Sequence, residues 1–282
     1  MKRICALFLL INTTVFSQDF QLANQVGSFS EATSFAMSPQ GYFYVADNGS
    51  DEIYKIDSLG NELTAFGGYG WESGRFDYPI DVSLNTLNIF VTDKNNHSIQ
   101  RFDKDLNFIS RLSTRDGDNA DAAFGFPLSA DISTMGDLFI LDSENKRILK
   151  FDLFGKFILQ FGGFDAGDFS IKNPKKLIVT ESNNILVLDG RSLIVFDIFG
   201  NGITKTALPE NFFSIDKHYN TITLTSDSSI YISSFDLNKI SFRKLSLHGL
   251  PENTLFNASL GVEDKVYALT NNTIYCFVLS EN

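Results

Sequence analysis

The sequence of 282 residues has little cysteine, tryptophan, histidine or proline: two Cys, one Trp, three His and six Pro. Two thiols cannot build a disulfide framework, so stability has to come from a packed core. Basic residues are also in deficit, 23 against 34 acidic, for a net charge of −11. That field opposes a phosphate backbone, and no nucleic-acid partner is expected. No apolar run approaches the roughly 20 residues that cross a bilayer as a helix, so no membrane span is expected. What the chain has in excess is phenylalanine: 28 Phe and 9 Tyr raise the aromatic share to 13%. Aromatic side chains sit well on a pleated surface, which points to an all-β core.

The amino terminus reads MKRICALFLLINTTVFSQDF. Lys2 and Arg3 precede an apolar run from Ile4 to Ile11, and Val15 and Ser17 stand three positions and one position before Gln18. This is the layout of a signal peptide, cut between Ser17 and Gln18, with 18–282 as one mature domain that is secreted or periplasmic. Removing the two cations takes the charge from −11 to −13 and removes Cys5, leaving Cys276 as the single thiol.

A repeat of about 47 residues organises the remainder. An Asp follows the first apolar strand of each unit at Asp47, Asp93, Asp142 and Asp189, spaced by 46, 49 and 47 residues. Pro79, Pro127 and Pro174 recur at 48 and 47. Within a unit, alternating residues such as Tyr42 and Tyr44 mark a strand and Asp-Asn a tight turn. Ile53, Tyr54 and Ile56 then mark a second strand, and Leu63 to Phe66 a third after DSLGN. With the strand that starts after each Pro, the unit has four strands, which describes a propeller blade. Units five and six are plainer; Thr225 and Ser226 stand where the recurrent Asp stood, and the last unit supplies three strands only. Phe20 to Val26 is expected to donate the missing strand and close a six-bladed ring.

Segments such as GYFYVADNGSDEIYKIDSLGNELTAFGG and GDLFILDSENKRILKFDLFGKFILQFGG resemble NHL repeats, most clearly over 34–205. The resemblance covers blades one to three well and blade four in part. It implies a six-bladed propeller of four-stranded antiparallel blades, a scaffold that hosts unrelated functions.

In such a blade the turns between the second and third strands share a face with the links between blades. The links Gly67 to Tyr78, Ser113 to Phe126 and Gly162 to Asn173 are the richest, which makes that face the expected binding surface. Its candidate residues are Tyr69, Trp71, Arg75, His97, Arg115, Asp116 and Asp118. Trp71 either plugs the space between two blades or serves as an exposed anchor; Phe76 and Phe124 read as plugs. Asp47, Asp93, Asp142 and Asp189 read as turn acids that accept backbone N–H groups. The glycine pairs at Gly67 and Gly162 read as sources of unusual backbone angles, since no helix follows to cradle a phosphate. DGDNAD from Asp116 lacks the downstream Glu of a calcium loop and reads as a solvated acidic loop. His97, His218 and His248 fall on different faces or edges, and no nucleophile elbow is present.

The leading expectation is a monomeric, non-catalytic binding propeller that takes a protein, peptide or glycan on its loop face, with no cofactor. The alternative is a lactonase-like hydrolase or a lyase with a divalent ion, calcium for example, in the central channel. Asp81 and Asp131 on inner strands would be its ligands.

Overall fold

In a computed structural model of the protein, residues 19–115 and 117–280 are described. The expected cleavage site after Ser17 lies outside them, as does Asp116. The chain forms five four-stranded sheets and a five-stranded one, with a single short 3-10 helix at Gly167–Phe169. The innermost strands of blades one to six are Ala32–Met37, Pro79–Leu84, Pro127–Ile132, Pro174–Val179, Ser214–His218 and Ala258–Val262. Each is followed outward by its sequence neighbours in antiparallel register. In blade one the order is Ala32–Met37, Phe43–Asp47, Glu52–Ile56 and Glu62–Gly67.

The ring closes at blade six. Asp19–Val26 pairs antiparallel with Ile274–Leu279, in a register running from Val26 opposite Ile274 to Phe20 opposite Leu279. Phe20 and Val26 are buried by this pairing, each in a different apolar cluster. A further segment, Ser246–His248, lies parallel to the closing strand on its outer side. Three residues without alternation carry no strand signal, which is why this fifth strand is invisible in the sequence.

Two devices recur and shape the functional surfaces. The first is the buried Asp. Asp47 accepts backbone N–H groups from Ser30 and Glu31 at 2.7 Å each, and from Gly49 at 2.9 Å. Asp93 accepts from Asp77 at 2.9 Å, Asp142 from Gly125 at 3.2 Å, and Asp189 from Lys172 at 3.0 Å. Each carboxylate therefore pins the link that leads into its own blade, and Asp47, Asp93 and Asp142 also hold the turn they open. The second is a register shift one residue into the inner strand of blades one to four, between Ala32 and Ser34, Pro79 and Asp81, Pro127 and Ser129, and Pro174 and Lys176. Such a bulge re-aims the side chains that follow it.

Burial pushes the Asp93 carboxyl up to about 6, against the pull of hydrogen bonds from Asp77, Asn96 and Gln100. The exposed Asp57 and Asp103 are instead held below the usual carboxylate range by Asn61 and Asn107. A carbon-13 NMR titration is expected to separate these groups in that order. Because native Asp93 binds its proton more tightly than the unfolded chain does, the stability it confers is present in acid. It is lost as pH rises from the ordinary aspartate value of about 3.9 through about 6.

Candidate functional site

The sequence places binding residues on the link face, and the structure brings most of them together beside blades two and three. The link from blade one leaves its outer strand at Gly67, whose φ of +134° puts a hypothetical Cβ 2.6 Å from the Asp51 carbonyl and 2.7 Å from the Phe76 ring. Only glycine fits there. Phe76 and Phe124 are fully buried, as expected of plugs. Trp71 takes the other of its two readings: it is 74% exposed, and Tyr69 is 72% exposed.

Fixed backbone holds this aromatic pair. The Arg111 guanidinium donates to the Trp71 carbonyl at 2.6 Å and to the Asn96 carbonyl at 3.1 Å, while the Asn96 amide donates to Gly70 O at 2.8 Å. Arg75 donates to the Gly67 carbonyl, so it braces the link. Beside the pair lies an open basin of about 440 Å³ lined by Ser73, Asn96, His97, Arg111, Ser113 and Arg115. Among the described residues no carboxylate lines it, although the chain as a whole is strongly acidic. His97 accepts the Phe126 N–H at Nδ1, 2.9 Å, and the Arg115 guanidinium approaches Nε2 to 2.8 Å while reaching Glu144 at 3.4 Å. His97 and Phe126, packed edge to face at 4.3 Å, both have left-handed backbone, φ 49° and 47°. Backbone of this kind persists only where surrounding contacts over-determine it. Asp118 is exposed on the same link.

The second concave region is the channel mouth on the opposite face, where the first and second strands of each blade turn. A cavity of about 440 Å³ opens there, with Asp81, Asp131, Lys176, Asp216 and Lys217 in its lining. Asp81 and Asp131 both line it because both sit at odd positions of their strands; they lie one layer apart along the channel. Neither carboxylate is alone. Lys176 Nζ is 2.7 Å from Asp81 Oδ1, 2.6 Å from Asp216 Oδ1 and 3.1 Å from Ser34 Oγ. It therefore ties blades one, two, four and five across the channel. Ser34 also donates to Asp81 at 2.7 Å, and Ser214 to Asp216 Oδ2 at 2.7 Å. Lys217 pairs with Asp131 at 2.8 Å, and Asp131 Oδ2 accepts the Val179 N–H at 2.7 Å. Burial works against a charged Lys176, but Asp216 and Asp81 hold its ammonium well above the ordinary lysine range. His218 lines the same mouth, and burial pushes its imidazole below the usual value.

Sequence reasoning missed Lys176, Lys217 and Asp216. The signal available was a lysine at the third position of an inner strand, aligned with Ser34 and Asp81 in the repeat. Of the three histidines, His97 stands on the link face, His218 in the channel mouth and His248 at the outer edge, 3.6 Å from Asp19. Among the described residues no three His, Cys, Asp or Glu side chains are placed to hold a metal ion together.

Comparison with known proteins gives a match to the NHL repeat family over residues 76–102, the stretch from the Phe76 plug to the end of the third strand of blade two. This stretch of the six-bladed propeller is similar to an NHL repeat. The brain tumor protein of Drosophila melanogaster is 29% identical over 145 residues, 50% of this chain and 13% of that protein. The matched part is thus a small share of that relative's length. A probable peptidyl-alpha-hydroxyglycine alpha-amidating lyase of Caenorhabditis elegans, pgal-1, is 21% identical over 252 residues, 80% of this chain and 68% of the lyase. Among solved structures, virginiamycin B lyase of Staphylococcus aureus superposes with a TM-score of 0.63 at 11% identity, over 93% of this chain and 100% of the lyase. That likeness shows the shared fold. No helix among the described residues is long and apolar enough to cross a membrane.

Proposed function

We propose that this propeller is an exported binding protein whose link face receives a protein or peptide partner. The observation that carries the reading is the pairing of Trp71 and Tyr69, both about three-quarters exposed, with a basin lined by Arg111, Arg115 and His97 and, among the described residues, by no carboxylate. Aromatic and arginine side chains on fixed backbone are the usual anchors of an interface. The basin suits a discrete carboxylate on the partner. A polyanion would meet Glu72, Asp77, Asp118 and Asp121 on the same face, so nucleic acid fits it poorly. Export rests on the charged, apolar and small-residue succession of residues 1–17.

The similarity to the lyase pgal-1 favours a second reading, that of an enzyme; the sequence expectation for it is a divalent ion in the channel. Asp81 and Asp131 do not fit that role as they stand, since each already binds an ammonium and an incoming ion would have to displace it. Thermal melts with and without calcium test this reading, with no shift expected.

The binding reading is tested by capture from the culture medium or envelope fraction of the source organism. Trp71→Ala and Arg115→Ala are each expected to lower capture of the same partner about tenfold or more, the loss of an anchor residue. Phe199→Ala, on the opposite face, is expected to leave it unchanged. Equal capture by all variants would remove the link face from consideration.

A further inference from the structure

The channel-mouth cavity has a chemistry that the link-face reading does not use. We propose that it is a binding site for a small organic cation, an ammonium, amidinium or guanidinium group carried on an apolar body.

Size admits such a ligand: about 440 Å³ lies within the range of sites that enclose small molecules. Charge selects its sign. Two ammonium groups in the lining, Lys176 and Lys217, face four carboxylates, Asp81, Asp131, Asp216 and Glu181, which leaves a net charge of −2. His218 adds no positive charge near neutral pH, because burial holds its imidazole below the ordinary value. One of these carboxylates also keeps an unused acceptor. Asp81 is only 2% exposed and takes Lys176 and Ser34 at Oδ1, whereas Oδ2 accepts no hydrogen bond from the described residues. A buried carboxylate oxygen facing a cavity is an acceptor that a cationic N–H donor satisfies with a charge-assisted hydrogen bond.

The walls and rim supply the apolar half. Met37, Leu84 and Ile132 line the cavity, and Leu87 stands at its edge 71% exposed. An anion would face the four acids, and a hard divalent ion would need several carboxylates free of lysine. A singly charged group with an apolar body needs one free oxygen, a negative rim and a hydrophobic wall, and the cavity provides all three.

The test uses an isosteric series of changing charge: benzamidine, benzamide and benzoate, with N-acetylarginine methylamide to present the same charge on a peptide. The chain has three methionines, Met1, Met37 and Met135, and Met37 lines the cavity. Carbon-13 methyl-methionine NMR therefore reports occupancy directly. Benzamidine is expected to shift the Met37 methyl signal in a saturable way, benzamide to bind at least tenfold more weakly, and benzoate not to bind. Asp81→Asn is expected to weaken benzamidine at least tenfold. Glu181→Gln, an exposed change that cannot disturb folding, is expected to weaken it about threefold. Tighter binding of the arginine derivative would identify the natural cation as a side chain, and tighter binding of benzamidine a free molecule. Equal binding of benzamidine and benzamide, or affinity unmoved by Glu181→Gln and Asp81→Asn alike, would overturn the proposal.

Discussion

Replacing Lys176 by methionine is expected to cost about 3–5 kcal/mol of unfolding free energy at pH 7, the loss seen when one partner of a buried ion pair is removed. The change leaves Asp81 and Asp216, 2% and 4% exposed, without the ammonium that bridges them. Urea melts read the effect, and its pH dependence identifies the cause. In the native protein the Lys176 pKa is raised, so its contribution is complete below the ordinary lysine value and disappears only at strongly alkaline pH. Burial raises the Asp81 carboxyl and the Lys176 ammonium opposes that rise, so in the variant Asp81 binds its proton more tightly still and favours the folded state in acid. The deficit should therefore shrink as pH falls through the ordinary aspartate value of about 3.9, well below which both carboxyls are protonated in either state. Adding Asp81→Asn and Asp216→Asn should restore most of the loss, because a neutral cluster needs no counter-ion. A deficit below about 1 kcal/mol with no pH dependence would mean that the three groups do not form the clasp described above.

How much of this was legible in the sequence follows from range. The blades were legible because their signals are local: an Asp and a Pro recurring near 47 residues, alternation of period two, and turn residues such as DSLGN. The turn acids were legible for the same reason, although their reach back to the preceding link, 16 or 17 residues away for Asp47, is a property of the folded blade. The closing strand was legible by arithmetic, since the last unit was one strand short. The channel clasp was not. Lys176 meets Ser34 across 142 residues and Asp216 across 40, and nothing in the spacing of a lysine announces that it crosses a central channel. The exposure of Trp71 was equally out of reach, because it depends on Arg111 drawing the link backbone outward through the Trp71 carbonyl. The cavity was missed for a related reason. It opens on the face of the short turns, whereas loop length drew attention to the links.

Both surfaces depend on closure of the ring, for without the strand Asp19–Val26 blade six lacks its outer edge and the apolar clusters around Phe20 and Val26 open. The register predicts where the two ends touch: Asn24 lies opposite the native Cys276, and Gln25 opposite Tyr275. In a Cys5→Ser background, Asn24→Cys, or Gln25→Cys with Tyr275→Cys, should form an intrachain disulfide under mild oxidation, in the monomer and without unfolding. A cross-link closing so long a loop stabilises by on the order of 5 kcal/mol in the chain-entropy treatment, so the oxidised form should melt well above the reduced one. Thiols that stay free in both variants, with unchanged melting temperature, would contradict the closed ring.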